Sequence, residues 1–166
     1  MKNLLKLTIS LFLVMTAYNA QALDASKANQ FIEQGDHAFS NTLYRKALIN
    51  YQKAMRHAAD QESVKVKIAE SFLRLKEYST AMQVVDEVLG SNSANPRALH
   101  VKGQVFEETN RNRKALEYYN EASVYQPNNE RLDIDRANAL RKLNFEVEAS
   151  AITQMLDQKR LNKAAE

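Results

Sequence analysis

The residues able to do chemistry are few, and they are scattered. The 166-residue chain contains no cysteine, so thiol nucleophiles, thiolate metal ligands and disulfides are all excluded. Its three histidines, His37, His57 and His100, stand far apart, and no His-Glu-x-x-His pattern of the kind that holds a catalytic zinc occurs. Asp133-x-Asp135 resembles the opening of a calcium loop, but Ala137 and Asn138 stand where the next ligand and the turn glycine belong. Those aspartates instead suit the polar first turn of a helix, where the helix dipole favours negative charge. There is no glycine-rich phosphate loop, nucleophile elbow or haem-attachment motif. The expectation is a protein that is not an enzyme and takes no metal or cofactor.

The elements that would position any site begin after an unusual N-terminus. Lys2 and Lys6 precede an almost unbroken apolar run from Leu7 to Ala17, and Ala20-Gln21-Ala22 supplies small residues three places and one place before a cut. This is the layout of a secretory signal peptide over residues 1–22, with cleavage after Ala22. The run of about 11 residues falls short of the roughly 20 that span a bilayer. No cysteine follows the cut to carry a lipid anchor. The expected location is the periplasm, with no stable membrane anchor after cleavage.

Export also changes the charge. The whole chain has 23 basic and 20 acidic residues. Removing Lys2 and Lys6 leaves 21 against 20, a net charge of about +1. Charge therefore gives no reason to expect a nucleic-acid partner. Elsewhere glycine and proline are scarce, and straight-chain residues that favour helix dominate.

The remainder is periodic. Four windows of 34 residues, 28–61, 62–95, 96–129 and 130–163, align without a gap and leave a tail of 164–166. Their eighth place reads Gly35, Ala69, Gly103, Ala137, and their twentieth reads Ala47, Ala81, Ala115, Ala149. The eleventh place reads Ala38, Phe72, Phe106, Leu140, and the twenty-fourth reads Tyr51, Val85, Tyr119, Thr153. Two antiparallel helices approach closely only where one carries Gly or Ala, and large side chains then fill the space between neighbouring hairpins. Helices are expected near 25–40 and 44–58, 62–75 and 78–90, 96–109 and 112–125, and 130–143 and 146–160. Asp24 or Ser26 can cap the first, Asn95 the fifth ahead of Pro96, and Asn129 the seventh. Pro127 stops the sixth.

This spacing of small, aromatic and alanine places resembles the tetratricopeptide repeat over residues 28–163. The first and third windows match best, and the fourth departs from the pattern at Asp133, Thr153 and Leu161. The resemblance implies an all-α, right-handed superhelical solenoid of about four helix-turn-helix hairpins, forming one domain over 23–163. It also implies a concave groove lined by the second, fifth, ninth, twelfth and thirteenth places. The first window offers Ile32, Asp36 and Phe39 there, and the second Val66, Glu70, Leu73 and Arg74. The third offers Arg97, His100 and Gln104, and the fourth Ile134, Asn138 and Arg141. Ile32, Phe39, Val66 and Leu73 make an apolar stripe that a docked peptide or helix would bury, or that packs between helices. Arg97, Arg131, Arg141 and Lys142 make the last two windows basic, as a solvated face or for an acidic segment of a partner.

The family's carboxylate clamp needs lysine and asparagine at particular groove places. The ninth places here are Asp36, Glu70, Gln104 and Asn138, which disfavours that ligand. Only residues 164–166 follow the fourth window, so the last helix is expected to cap the array itself, with Thr153, Gln154, Asp157 and Gln158 outward and Ile152, Met155 and Leu156 packing inward, or else to form a dimer or partner interface. The resemblance implies a protein-binding scaffold of the cell envelope, monomeric rather than dimeric, with pilus or secretion-system assembly as first choice. A chaperone-like holder of exported clients, for example in cytochrome c maturation, or an accessory subunit of an envelope enzyme are the alternatives.

Overall fold

The computed structural model describes residues 24–58 and 60–164, and all regular structure among them is helical. The expected signal segment lies outside the described residues. In chain order the helices are α1 (residues 24–40), α2 (Tyr44–Ala54), α3 (Gln61–Arg74), α4 (Tyr78–Ser91), α5 (Pro96–Glu108), α6 (Asn112–Tyr125), α7 (Glu130–Lys142) and α8 (Glu146–Ala164). No described helix is long and apolar enough to cross a membrane.

Asn95 and Asn129 cap α5 and α7, accepting from the amides of Ala98 (3.0 Å) and Leu132 (3.2 Å). At the start of α3, Asp60 accepts from the Ser63 amide at 3.0 Å. Three ends differ from expectation. α2 stops at Ala54, because the Arg56 and His57 amides turn to carbonyls three residues back (3.2 and 3.0 Å) and tighten the chain. α8 continues to Ala164, its last turns tied by Lys159 to Asn128 and by Arg160 to Glu130. α1 already runs at Asp24, so Ser26 lies inside the helix rather than capping it.

All four hairpins turn by the same device. The fifteenth place of each window, Thr42, Lys76, Asn110 and Asn144, has positive φ between 58° and 64°. The next amide then reaches back five residues: Leu43 to Ala38, Glu77 to Phe72, Arg111 to Phe106 and Phe145 to Leu140. These are Schellman closures, which satisfy helix-end carbonyls and begin the second helix at once. In the third turn the Arg111 guanidinium also lies 4.6 Å from the Phe106 ring centre.

The chain divides into two compact units, one ending at Ser71 and one beginning at Phe72. In the first, Ala38, Ala47, Tyr51 and Ala54 are buried. In the second, α5, α6 and α7 share a core of Leu99, Phe106, Ala115, Tyr119, Ala122, Leu132 and Ala139. The four alanines of the twentieth place are all fully buried, as close helix crossings require.

Candidate functional site

In the first unit the close crossing of α1 and α2 also builds a polar cluster. Gly35 lies so near Tyr51 that an added Cβ would stand 2.6 Å from the ring's Cδ1. The Tyr51 hydroxyl donates to Asp36 Oδ1 at 2.7 Å, and Lys67 Nζ of α3 donates to the same oxygen at 2.6 Å. Beside it, Ala25, Ala28, Ile32 and Val64 give apolar walls to a cleft of about 300 Å³, and Asn29, Asp60 and Ser63 add polar groups. Phe39 meets Tyr44 edge-on, ring centres 5.2 Å apart.

The second unit again joins the twenty-fourth-place tyrosine to an acid and a lysine, but through the twelfth-place Glu107 in place of a ninth-place aspartate. Tyr119 fits against Gly103, and its hydroxyl donates to Glu107 Oε2 at 2.6 Å. Burial above all, then the hydrogen bond to Glu107 and the charges of Glu107, Asp135 and Glu108, push the Tyr119 phenol up, so it remains a donor. Lys142 of α7 donates to the other Glu107 oxygen at 2.8 Å. One turn along, Asp135 Oδ2 meets His100 Nε2 at 2.7 Å and accepts from Gln104 at 2.9 Å. α5 and α7 are thus joined along one face by three acid-centred contacts.

Burial raises the Asp135 carboxyl, but hydrogen bonds from His100 and Gln104 and the charges of His100 and Arg131 together hold it below the usual carboxylate range. A depressed folded value stabilises the fold above the unfolded carboxylate value near pH 4, and that contribution is lost as pH falls through the folded value. Asp135→Asn is expected to cost about 2 kcal/mol at pH 7 and to flatten the acid limb of stability. Urea midpoints from pH 7 to pH 2 check this; parallel wild-type and variant curves would contradict it.

The structure divides the expected groove residues. Ile32, Asp36, Phe39, Glu70, Arg74, His100 and Gln104 are half-buried, whereas Arg97, Ile134, Asn138 and Arg141 are exposed. Val66 and Leu73 are corrected: at 1% and 4% exposure they belong to the core and present no stripe to a partner. Met155, expected to pack inward, is 40% exposed, while Leu156 beside it is buried. The sixth place was missed. Lys67 and Asp135 occupy it in their windows, and each meets the ninth-place side chain of the preceding window, Asp36 or Gln104.

The histidines do unrelated things. His37 is exposed, His57 stacks on Phe31 and lies 3.2 Å from Asp24, and His100 faces Asp135. Asp133 turns to Arg136 (3.1 Å), away from Asp135. Among the described residues no group of three or more His, Asp or Glu side chains could hold a metal ion.

The hairpin geometry defines the class: this is the fold of tetratricopeptide-repeat domains. The Arabidopsis OM64 TPR domain is 19% identical with a TM-score of 0.61, covering 71% of this chain and 98% of its own. The first TPR of Spaghetti (RPAP3), solved bound to the HSP90 peptide SRMEEVD, is 22% identical with a TM-score of 0.60, covering 75% and 95%. MamA from Desulfovibrio magneticus RS-1 is 14% identical with a TM-score of 0.64, covering 81% and 76%. No protein-family model matches the sequence, and no curated protein does.

Proposed function

We propose that this chain is an exported, non-enzymatic adaptor that holds a peptide or helix from another envelope protein, most specifically in the assembly of a pilus or secretion system. The observation that carries the binding half is the cleft of about 300 Å³ between α1 and α3, with apolar walls at Ile32 and Val64 and polar groups at Asn29 and Ser63. Apolar walls with a few polar groups suit side-chain capture from a peptide. The peptide-bound TPR of Spaghetti supports the mode of binding. The ligand class differs, because Asp36 sets a negative charge at the ninth place, already matched by Lys67 and Tyr51. The export half rests on the basic, apolar and small-residue order of residues 1–22.

Both halves are tested together by recovering the tagged protein from envelope fractions. The N-terminal residue should be Leu23, and one co-purifying protein should be lost by at least about tenfold in Ile32→Glu. Recovery from the cytoplasm with Met1 intact would refute export. Undiminished capture by Ile32→Glu would refute the placement of the surface.

A further inference from the structure

The last described hairpin presents a face that the hairpin before it keeps covered. α5 and α6 bury Leu99, Phe106, Tyr119 and Ala122 with Leu132 and Ala139 of the helix that follows, α7. Polar contacts fix the register at the edge: His100 and Gln104 to Asp135, and Glu107 to Lys142. Moved on by one window of 34 residues, His100, Gln104 and Glu107 become Ile134, Asn138 and Arg141. Among the described residues no helix lies over these. Ile134 is 39% exposed, and Asn138 and Arg141 are exposed as well. Ile134 and Arg141 line a cleft of about 130 Å³ with Ala137, Thr153, Leu156 and the Asp157–Arg160 pair. The Arg141 guanidinium meets only neutral oxygens among the described residues, Asn138 Oδ1 at 3.2 Å and Thr153 Oγ1 at 2.8 Å.

We propose that this face docks one amphipathic helix of a partner protein, with an acidic side chain placed against Arg141. The internal repeat supplies the register. The docked helix takes the position of α7, so its inward residues fall at the third, sixth, tenth and thirteenth places, which lie on one helical face. The third and tenth are apolar, as Leu132 and Ala139 are. The sixth is apolar too, because Ile134 replaces the His100 that Asp135 meets. The thirteenth reverses sign: Lys142 answers Glu107, so an acid answers Arg141.

A second copy of this chain fits poorly. Its first described helix, α1, would bring exposed Gln30 and His37 to the two apolar places. Two such ends placed face to face would offer no free carboxylate, since Asp157, the one acid lining the cleft, is already 3.7 Å from Arg160.

This site is independent of the α1–α3 cleft and is tested separately. Two synthetic peptides patterned on residues 130–142, stapled on their outer face and carrying leucine at the sixth place, differ only in glutamate or lysine at the thirteenth. Fluorescence anisotropy against the whole exported chain should show saturable binding of the glutamate peptide, at least about fivefold tighter than its twin. Arg141→Glu should reverse that order, Ile134→Glu should abolish both, and Ile32→Glu should change neither. Equal binding of the two peptides, no binding of either, or an order unaffected by Arg141→Glu would overturn the proposal. A homodimer in sedimentation equilibrium that the glutamate peptide dissociates would also overturn it, by assigning the face to a second copy.

Discussion

Gly103→Ala is expected to destabilise the protein by about 2 kcal/mol, although alanine in a helix interior ordinarily gains about 1 kcal/mol over glycine. The reversal follows from one crossing. A Cβ on Gly103 would lie 2.5 Å from Tyr119 Cδ1 and 3.2 Å from the Ala115 carbonyl oxygen. Tyr119 cannot swing aside, because it is fully buried and its hydroxyl is held by Glu107 at 2.6 Å. The sequence itself records the remedy. Where the eighth place is alanine, the twenty-fourth is smaller: Ala69 goes with Val85, and Ala137 with Thr153. Tyr119→Val should therefore be destabilising alone yet partly compensating beside Gly103→Ala, with a coupling of at least about 1 kcal/mol in a urea double-mutant cycle. Additive losses would contradict the crossing.

The second large effect is at the neighbouring alanine. Ala115→Leu is expected to cost about 3 kcal/mol, since three more carbons must enter a site with no free volume. Ala115 is fully buried in the shared core of α5, α6 and α7. Ala151→Leu makes the same change on the exposed side of α8 and should stay within about 0.5 kcal/mol of wild type. Equal effects at the two positions would show that burial of the twentieth place is not what limits its size.

Much of the fold was legible because tight helix crossings leave a compositional trace. Glycine opposite tyrosine, and alanine at one place in four windows, are size constraints written in residue types. The turns left less. Only Asn110 and Asn144 carry a side chain known to tolerate positive φ, while Thr42 and Lys76 do not. The backbone bond that closes all four turns, from Leu43 to Ala38 and from Glu77 to Phe72 in these two, holds them without help from residue type, and backbone bonds have no signature in sequence.

The surface was harder still. The fifth place is half-buried at Ile32 and His100, buried at Val66 and exposed at Ile134. Its exposure is set by what packs against each helix and not by position in the window. An apolar residue there therefore reads alike as core or as contact surface. Lys67 escaped notice, and Asp135 reads in sequence only as part of a helix's polar first turn, for a related reason. Their sixth place is not among those the repeat pattern assigns to the groove, yet salt bridges and hydrogen bonds bring them to its ninth-place residues. Met155 misled because α8 packs on α7 and, among the described residues, no further helix covers its other side.

The proposal put most directly at stake is that the chain holds another envelope protein at the α1–α3 cleft of its first unit. Its most direct test is site-specific photo-crosslinking in intact cells, with a photoreactive residue at exposed Asn29 of α1 and, as control, at exposed Lys46 of α2. One discrete protein adduct in the envelope is expected from Asn29 and none from Lys46. No adduct at Asn29, or the same products from both positions, would contradict it.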